Sequence, residues 1–162
     1  MRRESPPCRW ARTSLTLGLS RKSLYLMDNV ENRLNAAIAA LECGDTDIAF
    51  TLFSLLAEER YPLGQHYLGW CYEQGIGVEK DDKAALELWL QSAKAEIPES
   101  LHALGAMYET GRGTKHDVVK AYYWYVRATL AGDEEARMCV EKLKNAMSPL
   151  DVSKAESLLN EV

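Results

Sequence analysis

PLGQHYLGWCYEQGIGVEKDDKAALELWLQSAKAEI, residues 62–97, aligns with PESLHALGAMYETGRGTKHDVVKAYYWYVRATLAGD, residues 98–133, at a constant offset of 36 and without a gap. Pro62 falls on Pro98, His66 on His102, Leu68-Gly69 on Leu104-Gly105 and Tyr72 on Tyr108. Gly75 falls on Gly111, Gly77 on Gly113, Asp81 on Asp117, Ala85 on Ala121, Trp89 on Tyr125 and Ala95 on Ala131. So many coincident Pro, His, Gly and aromatic positions mark an internal repeat, and a period of this length belongs to stacked arrays of small structural units.

The register runs on in both directions. Asp45 lies under Asp81, Ala49 under Ala85, Phe53 under Trp89 and Ala57 under Ala93, so 45–60 reads as the second half of an earlier unit. Its first half, about 28–42, keeps helical character but ends in Cys43-Gly44 where the later units have Gly-x-Gly. Forward, Glu134 to Met147 and Leu150 to Asn160 predict two more helices around Ser148-Pro149. The pattern decays there, as terminal repeats do when their outer faces meet water. The expected organisation is a degenerate repeat over 28–61, repeats over 62–97 and 98–133, capping helices over 134–161, and a basic segment over 1–27.

Each full unit reads as helix A, turn, helix B. Pro62 and Pro98 suit the first turn of helix A, where a missing N–H costs nothing. Leu68 and Tyr72, with Leu104 and Tyr108, recur at helical spacing and predict a buried stripe. Gly69 and Gly105 sit mid-helix at a cost of about 1 kcal/mol relative to Ala, which predicts close approach of another helix. Gly75-Ile76-Gly77 and Gly111-Arg112-Gly113 fall where helix A stops, since Gly takes the left-handed conformation that ends a helix. A phosphate-loop reading of Gly-x-Gly fails, because no strand precedes it and no third Gly or Lys-Ser/Thr follows. Asp81 and Asp117 are placed to cap helix B, and Asp28 or Asn29 to cap the first helix of the array. Ala85 and Ala121 predict a tight crossing of A on B, with Trp89 and Tyr125 as the large core side chains.

Charge is uneven. Residues 1–27 hold six basic groups and one acid, a net of +5, while the remainder holds 13 basic and 23 acidic groups, a net of −10. An acidic body lacks the basic footprint that phosphates require, so no nucleic-acid partner is expected. No apolar stretch approaches the roughly 18 residues of a membrane span. Residues 1–27 admit three readings: a disordered tail, an organelle-type presequence, or translated sequence upstream of a start at Met27. Cys8, Cys43, Cys71 and Cys139 show neither CxxC nor regular spacing, so reduced thiols, no metal site and a cytoplasmic setting are expected.

The pattern LG-xx-Y-xx-G-x-G-V-xx-D-xxx-A-xx(x)-W/Y resembles the Sel1-like repeat, a relative of the tetratricopeptide repeat. Leu68, Gly69, Tyr72, Gly75, Gly77, Val78, Asp81, Ala85 and Trp89 match it in one unit. Leu104, Gly105, Tyr108, Gly111, Gly113, Asp117, Ala121, Trp124 and Tyr125 match it in the next. Thr114 replaces the Val, and Glu96 stands where a Gly usually precedes the next hairpin. The resemblance implies an all-α fold, an α/α right-handed superhelix whose A helices line a concave face. It also implies a non-catalytic protein-binding scaffold or adaptor, without cofactor, and most simply a monomer. By the same analogy the partner-facing positions are Leu63, His66, Trp70, Glu73 and Gln74 in one unit. In the next they are Glu99, His102, Ala106, Glu109 and Thr110, with Met138 and Lys142 continuing the row. Trp70 stands out because its counterpart is Ala106, so the repeat itself requires no aromatic there. The alternative, a hydrolase like some secreted cysteine-rich relatives, is disfavoured because periodic Cys pairs are absent: Cys71 aligns with Met107 and Cys139 with Ala103.

Overall fold

A computed structural model describes residues 29–160. The readings made for the 1–27 segment lie outside the described residues. The described chain is all helix and turn. Its helices are α1 (Val30–Glu42), α2 (Thr46–Glu58), α3 (Pro62–Gln74) and α4 (Asp82–Ser92), the last running into a 3-10 turn at Ala93–Ala95. They continue as α5 (Pro98–Thr110), α6 (Val118–Leu130), α7 (Glu134–Ala146) and α8 (Pro149–Asn160). The chain forms two compact units divided between Lys80 and Asp81, inside the repeat 62–97.

The first unit holds α1, α2 and α3. Asn29 caps α1, its side chain accepting the Glu31 N–H at 2.8 Å. Asp45 occupies the N-cap position of α2 but makes no cap hydrogen bond. The Asp45 N–H donates to the Ala40 carbonyl at 2.9 Å, closing the turn through Gly44, and the residue takes φ −83°, ψ 69° rather than an extended conformation. The core gathers Leu52, Phe53, Leu55 and Leu56 of α2 with Ala36, Ala37 and Ala40 of α1. Phe53 stacks on Tyr67 of α3 with ring centroids 4.9 Å apart. Arg33, 5% exposed, donates both terminal nitrogens to Glu59 at 2.6 Å each, a fork-to-fork pair.

The second unit holds α4 to α8. Helix α4 packs on α5, α5 on α6, and α6 on both α7 and α8. Trp89 and Tyr125 are each 2% exposed, and Ala85 and Ala121 are fully buried, as their recurrence predicts. The buried hydroxyls of Ser92 and Ser100 join α4 to α5 at 2.8 Å. Gly105 meets the ring of Tyr125: a Cβ there would lie 2.7 Å from ring carbons, so the mid-helix glycine does mark a close approach.

The Gly-x-Gly turns carry the repeat. Gly75 and Gly111 end α3 and α5 in the left-handed region, both at φ 73°. Asp81 and Asp117 then cap α4 and α6, each accepting two backbone N–H groups. The second glycine has a further duty. A Cβ on Gly77 would stand 2.7 Å from the Thr46 carbonyl oxygen, and one on Gly113 would meet the Asp82 carbonyl, with its carbon 2.7 Å away. Thr46 and Asp82 are themselves 36 apart and both open a helix B. Each turn therefore rests on the first residue of the preceding helix B, and only a residue without a side chain fits.

A second recurrent backbone feature escaped the sequence pattern. Arg60, Glu96 and Gly132 are spaced by 36 and all have positive φ, 59°, 54° and 104°. These are the joints at which one hairpin gives way to the next helix A. Glu96, read from sequence as a departure from Gly, adopts the glycine conformation nonetheless.

Candidate functional site

The A helices present the residues singled out for partner binding. On α3, Gln74 is exposed and Leu63, His66, Trp70 and Glu73 are half-buried. The His66 ring packs edge-on against Tyr67 at 5.2 Å, and Gln74 donates to Glu73 at 3.1 Å. Trp70 thus keeps part of its indole accessible in a position where the neighbouring repeat has a methyl group.

In the second unit, Ala106, Glu109 and His102 of α5 are half-buried, while Met138 of α7 is 73% exposed. A chain of polar contacts runs along this face. His102 Nδ1 lies 2.6 Å from Asp133 Oδ2, and Asp133 also caps α7 through the N–H groups of Glu135 and Ala136. Burial works against the charge on Asp133, but these N–H groups and His102 outweigh it and hold the carboxyl below its usual range. His102 also meets Tyr125 edge-on at 5.3 Å. The Tyr125 hydroxyl donates to Glu109 at 2.9 Å, and Lys142 Nζ donates to the other oxygen at 2.9 Å. Partial burial raises the Glu109 pKa, yet Lys142 and Tyr125 together bring it below the ordinary value. Burial, then the hydrogen bond to Glu109, pushes Tyr125 far up. Cys139 sits within the same set, its thiol raised first by burial.

Sequence reasoning placed Glu109 and Lys142 in one row without seeing that they pair. It took Tyr125 as core filler; the ring is that, but the hydroxyl reaches out to Glu109. Asp133 was missed because it has no counterpart in register: the residue 36 before it is Ile97. An acid directly before Glu134-Glu135 and a helical run was its one available signal.

The expectation of reduced thiols holds for Cys71 and Cys139. It fails for Cys43, which is not a free thiol; the irregular spacing of the cysteines, which suggested otherwise, reports nothing about a single bond made at the end of a helix. Among the described residues, no group of three His, Cys, Asp or Glu is placed to hold a metal, and no helix is long and apolar enough to cross a membrane.

Residues 62–96 and 98–133 match the family model described as Sel1 repeat. These two segments are Sel1 repeats. The fold is similar to that of a protective antigen of uropathogenic Escherichia coli strains, described as displaying an SLR fold. That likeness has a TM-score of 0.78 and 20% identity, over 93% of this chain and 31% of the antigen. A Sel1 repeat protein from Oxalobacter formigenes gives 0.66 at 24% identity, over 82% of this chain and 58% of the other. Helicobacter pylori cysteine rich protein B gives 0.63 at 18% identity, over 82% and 96%. The chain thus spans less than two thirds of the first two of these structures. No curated protein matches the sequence. The fold class read from the repeat, an all-α array of Sel1-type hairpins, is the one these likenesses show. Sel1 repeats are in general non-catalytic protein–protein interaction scaffolds.

Proposed function

We propose that this chain is a non-catalytic adaptor that binds a peptide or protein segment on the exposed faces of its A helices. The observation that carries this reading is the contrast between the two repeats. Positions the fold requires, the Gly-x-Gly turns, caps and core aromatics, are the same or alike in both. Of the five open pairs on helix A, three differ, Leu63 against Glu99, Trp70 against Ala106 and Gln74 against Thr110, while His66 and His102, and Glu73 and Glu109, are the same. Part-open aromatics are the residue type that most often dominates binding energy at interfaces, which places Trp70 at the centre of the reading. Thiol chemistry gives no support to catalysis: burial pushes Cys71 to about 11, so it is not a nucleophile at neutral pH.

The test is affinity purification with mass spectrometry from the native cell, comparing wild type with Trp70→Ala and Met138→Asp. A partner recovered by wild type and lost by either variant, with unchanged thermal melts, supports the adaptor. A partner held equally by all three proteins rejects the A-helix faces as the binding surface.

A further inference from the structure

The polar contacts in the second unit are unequal in strength, and the inequality points to a class of partner. Glu109 is fixed from the core side: the Tyr125 hydroxyl, on a residue 2% exposed, holds Oε2 at 2.9 Å. On its other side Oε1 is held by Lys142, whose side chain is 74% exposed while that of Glu109 is 24% exposed. An ion pair anchored by one flexible, hydrated lysine is worth little, and that lysine is readily exchanged for another cation. Met138 lies one turn before Lys142 on α7 and Ala106 one turn before Glu109 on α5. At such spacing residues share a helix face. Met138, 73% exposed, offers a flexible apolar surface that adapts to varied side chains. Glu99 on α5 and Glu135 on α7 add negative charge to the same helices, within a body of net charge −10 over residues 28–162. His116 also acts on Glu109 electrostatically, and His102 on α5 and Arg137 and Lys144 on α7 are further basic groups on the same helices.

We infer that this face takes a partner segment presenting an Arg or Lys side chain next to an apolar one, the cation replacing Lys142 at Glu109 and the apolar group covering Met138. The inference rests on the adaptor reading and names the partner's chemistry. Glu109 supplies a preorganised carboxylate whose geometry is set by Tyr125 before the partner arrives. Arg suits it better than Lys, because its planar fork of N–H donors matches the geometry of a carboxylate.

Four fluorescein-labelled decapeptides test this. They share a Leu-containing background and differ only at the central residue: Arg, Lys, Ala or Glu. Binding to the full chain is read by fluorescence anisotropy. The Arg and Lys peptides are expected to bind at least about tenfold more tightly than the Glu peptide. Glu109→Gln, which keeps an acceptor for Tyr125 and should leave the melting curve in place, is expected to abolish that preference. Lys142→Ala removes the competing cation and is expected to strengthen Arg-peptide binding by about threefold; a merely structural role for the Glu109–Lys142 pair would not produce that gain. Weaker or unchanged binding in Lys142→Ala, or equal binding of the Arg and Glu peptides, overturns the inference. If all four peptides bind equally and Met138→Asp abolishes binding, the cationic partner is wrong while the adaptor reading stands. Binding of no peptide at all overturns the inference, and partner capture by the Trp70 and Met138 variants then decides the adaptor reading separately.

Discussion

Replacing Gly113 with Ala isolates the contact on which each repeat turn rests. Two costs add. At φ +65° a side chain pays the left-handed penalty of about 1–2 kcal/mol, of which about 0.4–1 kcal/mol returns because Ala loses less entropy than Gly on folding. The new Cβ also presses on the Asp82 peptide, whose carbonyl carbon would be 2.7 Å away. Because the obstacle is backbone, the turn or the start of α4 must move, an overpacking cost of about 1–3 kcal/mol. The sum is about 2–4 kcal/mol, or a fall in Tm of roughly 6–12 °C for a chain of this size. Gly44→Ala is the control. Gly44 has φ +79° with nothing within 4 Å of the built Cβ, so it pays only the backbone penalty, a net of about 0.5–1 kcal/mol. Gly111→Ala lies between, because its Cβ would come 3.2 Å from the His116 nitrogen. Circular dichroism melts and urea titrations of the three variants give the order. If Gly113→Ala is no worse than Gly44→Ala, the turn does not rest on the preceding helix, and the account of why the second glycine recurs is wrong.

Two further outcomes are expected. Arg60→Gly should raise the Tm by about 1–2 °C, since it relieves the left-handed penalty at φ 59° and gives back only part of it as unfolded-chain entropy; scanning calorimetry detects a shift of that size, and a lower Tm would show that the Arg60 side chain contributes more than its backbone costs. Glu59 is held below its ordinary pKa, mainly by its hydrogen bonds to Arg33. A depressed carboxylate stabilises the fold above the unfolded pKa near 4.3, and that stability is lost as pH falls through the lower folded value. Glu59→Gln should therefore be less stable than wild type by about 2 kcal/mol at pH 7 and nearly equal to it near pH 2; a gap that persists undiminished at pH 2 counts against the ion pair.

Much of the fold could be read before any coordinates. The 36-residue offset located the helix boundaries because Pro62, Pro98, the Gly-x-Gly turns and the Asp caps act locally, through backbone geometry fixed by one or two residues. Asp45 shows the limit of that logic. It keeps the register of Asp81 and Asp117 but does not cap; its backbone, at φ −83° and ψ 69°, is not in the extended conformation those two adopt. Arg60 and Glu96 show the converse: the backbone conformation recurs where the residue type does not, and a pattern built on Gly cannot see it. The binding positions were less legible. Which helix A side chains are open follows from periodicity, but the sharing of Glu109 between Tyr125 and Lys142 joins three helices and has no signature in the spacing of residues along one.

The support that each Gly-x-Gly turn takes from the helix before it also decides where the chain can be cut. A fragment bounded by the sequence repeat, 98–133, would carry its turn away from the Asp82 carbonyl on which that turn sits. A fragment beginning at Asp81 keeps the cap of α4, the carbonyl beneath Gly113 and the Ser92–Ser100 bond together. The period of the sequence and the period of mutual support are thus out of phase by half a repeat. For anyone building longer or shorter arrays from this chain, the transferable brick is helix B followed by the next helix A, with its seam just ahead of the capping aspartate.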